Sequence, residues 1–320
     1  MSRQRSPVIE YIAAVSGGKD STALCLHLIE MGLDYRAVHY DTGWEHPDTY
    51  QYVRDVLPGV IGRPVEIRYR EPTLDQAREG QAEELEAMLG HRSPMVRWIL
   101  KRGMFPGRTR RFCTQELKYF TARDVMRESH ANGRAPVNAL GIRAAESAAR
   151  SKLLERELDE DLDAMVWRPL LQWSLDDVIA IHRRHGVAPN PLYLRGATRV
   201  GCWPCIMSGK ADLRLLAHDE RRIAVIERLE SMVATAAAAR AEAKGGTLER
   251  RPAFFQGNRS DGVQNADGTW SIPRIPIRRH VEWALTDRGG LQMRLDLPDD
   301  SGCMRWGLCD LPDDLQEGGR

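Results

Sequence analysis

No stretch of this 320-residue chain approaches the ~20 consecutive apolar residues of a membrane span, so no membrane partner is expected. Charge of one sign is also lacking. Forty-six Lys and Arg face 45 Asp and Glu, the formal net charge is +1, and bulk electrostatics does not announce nucleic acid. The opening residues, Met1 to Pro7, are polar and run straight into an apolar segment, so no secretory leader is expected and a cytoplasmic, reducing location follows. No internal repeat is visible. The Walker A pattern Gly-x-x-x-x-Gly-Lys-[Ser/Thr] is missing, and no good dinucleotide fingerprint takes its place.

What is present is a globular composition, 42% hydrophobic and 28% charged, and a length that suits one large domain plus an extension. The most informative string is Ser16-Gly17-Gly18-Lys19-Asp20-Ser21, directly after the apolar run Val8–Val15 and before the helical run that begins at Thr22. A strand that breaks into glycines and then starts a helix makes an anion cradle. The glycines let backbone come close to a phosphate, and the free N–H groups of the new helix face it. Asp20 and Ser21 are placed to cap those N–H groups, and Asp20 could hold a hydrated Mg²⁺ against a polyphosphate.

Alternation of strand and helix continues. Thr22 to Met31 is helical and stops at Gly32; Tyr35–Tyr40 and Pro64–Tyr69 read as strands on either side of a helix from Thr49 to Leu57. Residues 71–108 are mostly helical. Ala135–Leu140 is a fourth strand, Met165–Leu171 a short fifth, and Ser174 with Asp177 caps a helix through His185. This order predicts an α/β fold with a doubly wound parallel sheet, whose ligands bind outside the carboxyl ends of the strands. Ser16–Ser21, Asp41-Thr42-Gly43 and Gly141–Arg150 all fall at such ends. Beyond Gly209 the pattern changes to an Ala/Arg/Glu-rich helical stretch from Ala211 to Ala243, a break at Gly245-Gly246, a loop-rich segment over 256–274 and a helix from Pro276 to Leu285. Two units are expected: 1–210, and a helical, irregular extension over 211–320 with a cysteine-containing tail.

Six cysteines in a reducing location suggest metal or redox chemistry. Cys202-Trp-Pro-Cys205 lets two thiolates reach one metal, as a redox pair, a zinc knuckle or an iron–sulfur half-site. Cys113 follows the basic run Arg108 to Arg111, and Arg110, Arg111 and Lys118 are expected to lower its pKa. A cluster on Cys113, Cys202 and Cys205 could take Cys303 or Cys309 as its fourth ligand. Cys25 lies in an apolar helix and reads as core.

The series Ser16–Ser21, Asp41-Thr-Gly43, Cys113-Thr-x-x-Leu-Lys118, Gly141-Ile-Arg-x-x-Glu-Ser-x-x-Arg150, Asn190-Pro-Leu-Tyr193 and Arg199-Val-Gly-Cys-Trp-Pro-Cys205 resembles the phosphoadenosine phosphosulfate (PAPS) reductase family. That family lies within the PP-loop ATP pyrophosphatases (adenine nucleotide α-hydrolases of HUP-like fold), and the likeness is greatest to the DndC-like DNA phosphorothioation branch. It covers roughly residues 8–210. The resemblance implies that Ser16, Gly17, Gly18, Lys19, Asp20 and Ser21 hold ATP phosphates and Mg²⁺. Asp41, Thr42 and Gly141 then lie beside the nucleotide, and Arg143 and Arg150 meet phosphate or sulfate oxygens. Cys113, Cys202 and Cys205 would ligate a [4Fe–4S] cluster, with zinc as the alternative.

Two departures shape the expected activity. Sulfonucleotide reductases carry a degraded PP-loop, whereas this one is intact. They also carry paired cysteines at the first cluster position and a Glu-Cys-Gly-[Leu/Ile]-His tail; here Cys113 stands alone and the tail reads Ser301-Gly-Cys303-Met-Arg-Trp-Gly-Leu-Cys309. The leading expectation is adenylation of an acceptor by ATP, with pyrophosphate released, followed by displacement of AMP by sulfur. Lys19, Asp20, Cys303 and Cys309 are the catalytic candidates. Expected partners are a sulfur donor such as a cysteine desulfurase and a nucleic-acid or small-molecule acceptor; a homo-oligomer is compatible. The alternatives are a PAPS or adenylyl sulfate reductase that releases sulfite, and a non-catalytic nucleotide-binding subunit with structural zinc.

Overall fold

A computed structural model of the chain describes residues 7–107, 110–248, 251–257 and 262–287. The tail candidates Cys303 and Cys309, and Arg108 of the basic run, lie outside the described residues.

The frame is a six-stranded, mostly parallel sheet in the order β3-β2-β1-β4-β6-β5. Its strands are β1 (Val8–Val15), β2 (Tyr35–Tyr40), β3 (Val65–Arg68), β4 (Arg134–Ala139), β5 (Arg156–Asp159) and β6 (Ala164–Trp167). β1 is central and pairs in parallel with β2 on one side and β4 on the other. The direction of winding therefore reverses at β1, which opens a crevice beyond its carboxyl end.

Successive residues of β1 face opposite sides, as the two-residue period of a strand requires. Ala13 and Val15 pack with α1 (Lys19–Glu30) through Leu24, Leu26 and Leu28. Ile12 packs the other way, against Val125 and Met126 of the later helix Phe120–Ala131. With both faces covered, β2 is almost wholly apolar or buried, and its sequence lacks a clean polar alternation. Cys25 is fully buried in this core, and burial pushes its thiol up to about 12.

The remaining helices in chain order are α2 (Pro47–Gln51), α3 (Leu57–Ile61), α4 (Gln76–Leu89), α5 (Pro94–Arg102), α6 (Phe112–Thr114), α7 (Phe120–Ala131), α8 (Leu175–Arg184), α9 (Pro191–Leu194), α10 (Lys210–Leu216), α11 (Glu220–Glu242) and α12 (Ile277–Ala284). Wide π turns link α2 to α3 over Tyr52–Val56 and α6 to α7 over Gln115–Tyr119. A second core joins α4 and α5 to α11 and α12 through Leu85, Val96, Ile226, Leu229, Phe254 and Ile277. The later segment thus shares an interior with residues before 110.

Several elements differ from the sequence reading. β5 was not anticipated: Arg-Glu-Leu-Asp is a charged edge strand, antiparallel to β6, and charge is how an exposed edge resists further pairing. The fifth strand stops at Trp167, before Arg168-Pro169, because proline has no N–H for the ladder. The stretch expected as one helix over 211–243 is two, α10 and α11, divided where the Asp219 carboxylate accepts from the Arg222 N–H and starts the second. The loop-rich segment contains two short strand pairs, Phe255–Gln256 with Arg274–Ile275 and Val263–Gln264 with Trp270–Ser271.

Candidate active site

At the carboxyl end of β1 the chain turns on Gly17, whose φ is +72°. A Cβ there would come within 2.8 Å of Val53 Cγ2, so the position needs glycine both for conformation and for space. α1 begins one residue later than the turn, at Lys19, with Gly18 as its N-cap and no side-chain cap. Asp20 and Ser21 therefore do not cap the helix as expected. The Ser21 hydroxyl instead donates to Gly18 O at 3.0 Å and accepts from Ser16 N–H at 3.1 Å, which braces the loop from inside. No side chain of the N-cap residue satisfies the first turn, so the N–H groups of Asp20 and Ser21 are the ones available to an anion.

Residues distant in sequence hold this loop. Asn190 donates its side-chain amide to Gly17 O at 3.2 Å, and the Tyr193 hydroxyl accepts from Lys19 N–H at 3.4 Å. Lys19 Nζ lies 4.8 Å from the centre of the Tyr193 ring. Gly141 lies against the first turn so closely that a Cβ would be 2.5 Å from Asp20 O. That contact brings the β4 loop, with Arg143 and Arg150, to the cradle. Arg143 is buried and pairs with Asp20, Nε to Oδ1 at 2.5 Å; Arg150 pairs with Glu146. The side chains expected to meet a phosphate and a Mg²⁺ are thus partners of each other here.

The Asp41-Thr-Gly43 loop follows β2. Asp41 Oδ1 accepts from Gly43 N–H at 2.7 Å and from the Tyr50 hydroxyl at 2.9 Å. Thr42 is fully buried and donates to Glu45 Oε1 at 2.8 Å, with its hydroxyl 3.7 Å from Cys202 Sγ. The loop is fastened to the Cys-Trp-Pro-Cys turn by backbone pairing between Glu45 and Cys202, by Trp203 N–H donating to Trp44 O at 2.7 Å, and by Trp44 Nε1 donating to Pro204 O at 3.1 Å.

These loops enclose a cavity of about 440 Å³ whose walls include Ser16, Cys113, Lys118, Arg150, Cys202 and Cys205. The three expected metal-ligating thiols therefore face one space beside the cradle. Burial raises the Cys113 pKa, with the neighbouring Cys205 adding to it and Lys118 opposing; the exposed Arg110 and Arg111 do not supply the expected depression. Burial likewise pushes Cys202 up to about 12 against the pull of Lys118. Thiolate is the form that ligates metal, and a bound cation would favour it against the effect of burial. Three cysteines on one cavity wall are a donor set that fits a sulfur-ligated metal group.

Lys118, His39, Glu45, Tyr50 and Asn138 are site residues that the sequence reading did not single out as such. Lys118 is half-buried, and its pKa is raised by Cys202 first and then by Glu45, Cys205 and Cys113. His39 and Asn138 are buried in the cavity wall, and His39 Nε2 and Asn138 Oδ1 have no protein partner. Their signal lay in position alone: His39 and Asn138 are near the carboxyl ends of β2 and β4. A second cavity of about 670 Å³ lies on the other side of Asp41 and Tyr50, lined by Arg54, Arg92, Arg221 and Arg222. No helix among the described residues is long and apolar enough to cross a membrane.

Comparison with known proteins places this geometry. The phosphoadenosine phosphosulfate reductase domain matches residues 10–208. An uncharacterised 37.8 kDa protein of Escherichia phage 186 is 30% identical over 312 residues, 89% of this chain and 90% of that protein. The adenosine 5'-phosphosulfate reductase of Allochromatium vinosum is 40% identical over 65 residues, which span 20% of this chain and only 25% of that enzyme. A crystal structure of PAPS reductase from Candida auris, in complex with phosphate, superposes with a TM-score of 0.42 at 18% identity, over 61% of this chain and 82% of that one.

Proposed function

This chain belongs to the phosphoadenosine phosphosulfate reductase family, and from that premise we propose that it uses ATP to adenylate an acceptor and then exchanges the activated oxygen for sulfur. The observation that carries this reading is the intact Ser16–Ser21 cradle at the start of a helix with no N-cap side-chain bond, Lys19 at its edge and three thiols in the adjoining wall.

In this reading an acceptor oxygen attacks the α-phosphorus of ATP, the α–β anhydride breaks and pyrophosphate leaves. The first-turn amides of α1 and the Lys19 ammonium take up charge on the departing pyrophosphate, where fixed donors are worth more than water. Arg143 has to exchange Asp20 for a phosphate oxygen, which frees the Asp20 carboxylate for a hydrated Mg²⁺. Adenylation turns a poor leaving oxygen into AMP. The outer sulfur of a persulfide, supplied by a cysteine desulfurase, then forms the bond to the acceptor as the bond to AMP breaks; a second thiol attacks the adjoining donor sulfur, the S–S bond breaks to release the thiolated acceptor, and an external thiol reductant reopens the disulfide left behind. Cys113, Cys202 and Cys205 would hold a [4Fe–4S] cluster, which when bound supplies sulfur or electron chemistry at that wall. The arginine-lined cavity beside Asp41 suits a phosphate-bearing acceptor, including nucleic acid.

Pyrophosphate release from ATP, screened against candidate acceptors, tests the reading. Turnover that depends on acceptor and is lost in Asp20→Ala supports it; no pyrophosphate with any acceptor defeats it. A sulfonucleotide reductase is the second reading, favoured by the segment shared with adenosine 5'-phosphosulfate reductases. It requires sulfite release from PAPS or adenylyl sulfate without ATP. Iron and sulfide counts on anaerobically purified protein separate both from a nucleotide-binding subunit with structural zinc.

A further inference from the structure

One group of potential ligands shares a wall with the thiol cavity but uses neither the thiols nor Asp20. His39, at the end of β2, and Asp41 and Glu45, in the loop after it, each offer one donor atom, and these atoms lie within 4.8 Å of one another. First-row divalent ions bind imidazole nitrogen and carboxylate oxygen at about 2.0–2.2 Å, so ligands of a shared ion lie up to about 4 Å apart. Small side-chain rotations close the remaining difference.

The hydrogen bonds around the group prepare it for a cation. His39 Nδ1 lies 2.8 Å from Val15 O. A carbonyl only accepts, so Nδ1 carries the proton and the lone pair of the neutral ring is on Nε2. That atom is buried and has no hydrogen-bond partner among the described residues. A ligating histidine is oriented in this way, through its second nitrogen, at metal centres generally. Glu45 is oriented as firmly: Thr42 donates to one of its oxygens at 2.8 Å and the Trp44 N–H to the other at 3.1 Å.

The third observation concerns a proton that cannot be shared. The Tyr50 hydroxyl lies 2.9 Å from Asp41 Oδ1 and 3.0 Å from Glu45 Oε2. It has one hydrogen, so at any moment it donates to one carboxylate and turns oxygen lone pairs towards the other. Two carboxylates so close repel each other, Glu45 buried and Asp41 half-buried at the edge of the arginine-lined cavity, and a further positive charge would stabilise the pair. Lys118 and Arg222 face Glu45 from the neighbouring elements, but Lys118 also faces the three thiols and Arg222 donates to the Glu45 backbone carbonyl at 3.2 Å.

We propose that His39, Asp41 and Glu45 form a binding site for a first-row divalent cation, in the wall between the thiol cavity and the arginine-lined cavity. One nitrogen and two carboxylates suit Mn²⁺, Fe²⁺ or Zn²⁺, and positions left open would face a bound substrate. The site is separate from Asp20, and it does not depend on the adenylation reading, because cation binding is measured without ATP.

Mn²⁺ is the probe of choice, since thiols are poor ligands for it. The full-length protein is titrated with Mn²⁺ and the free aquo ion is read by electron paramagnetic resonance; pulsed measurements on the bound ion then report nitrogen coupling. The expected result is one bound Mn²⁺ per chain with imidazole coupling. That coupling vanishes in His39→Gln, and affinity drops at least tenfold in Asp41→Asn. Three results each overturn the proposal: no bound Mn²⁺, bound Mn²⁺ without nitrogen coupling, or wild-type affinity in a His39→Gln protein whose circular dichroism shows it folded. The coupling measurement on the unaltered protein decides the matter even where a variant fails to fold.

Discussion

The Arg143 guanidinium reaches across 123 positions of sequence to Asp20, Nε to Oδ1 at 2.5 Å, at the first turn of α1. Both side chains are largely shielded, 8% and 15% exposed. An arriving polyphosphate must compete with Asp20 for this guanidinium. Arg143→Ala removes the proposed phosphate ligand and the partner of Asp20 together. It leaves Asp20 with only Lys19, 3.5 Å away, as an ionic partner. We expect a stability loss of about 1–3 kcal/mol, somewhat below the cost of breaking a fully buried pair. The rise in melting temperature on adding ATP should also disappear. A thermal-shift series with and without nucleotide measures both.

Gly17→Ala should abolish nucleotide binding with a larger structural penalty than most surface changes. The new methyl meets Val53 and Thr49 in a left-handed backbone position. The combined conformational and steric cost is about 1–3 kcal/mol. Gly32→Ala is the control. It is also left-handed, with φ +66°, but a Cβ there meets nothing within 4 Å. Its melting temperature should fall by less, and its ATP affinity should stay at the wild-type level in calorimetry.

Glu230 provides a pH signature. Burial raises its pKa to about 7, against the N–H groups of Phe254 and Ile277 that favour its ionised form. The folded protein therefore holds a proton that the unfolded chain, near the ordinary 4.5, has released. Stability then falls as pH rises from about 4.5 through 7, by up to about 3 kcal/mol. Denaturant unfolding across that window should show the slope. Glu230→Gln, which cannot ionise, should flatten it.

Serine in place of Cys113, Cys202 or Cys205 should each lower the iron and acid-labile sulfide bound per chain at least severalfold, because all three thiols face one cavity. Cys25→Ala should keep both at the wild-type level while costing about 1 kcal/mol of packing. Metal and sulfide analysis after anaerobic purification checks the pair of expectations.

The frame of this site was legible because strand ends announce themselves. Val15 to Ser21 passes from apolar run to glycines to helix, and the same transition follows Tyr40 and Leu140. The Ser174–Asp177 capping box was equally readable, since both partners lie within one turn. What escaped reading depends on long separations. Thr42 and Cys202 meet across 160 positions, and Asn190 supports Gly17 across 173. No local pattern encodes either contact. The thiol of Cys113 differs from expectation for a related reason: burial and Cys205 raise its pKa and outweigh Lys118, whereas Arg110 and Arg111, its neighbours in sequence, are not among the causes. β5 escaped because a charged edge strand has no apolar period to detect.

Trp44 gives the later segment its meaning. Its indole is fully buried, stacks at 5.9 Å on Phe254, and lies 4.6 Å beneath the Arg222 guanidinium. The loop that presents Asp41 and Glu45 is thus clamped by residues more than 170 positions downstream. Grafting a foreign carboxyl-terminal region onto residues 1–210 would unseat that indole and let the Asp41–Glu45 loop drift. Diversification of this scaffold therefore has to proceed by changing both halves in concert.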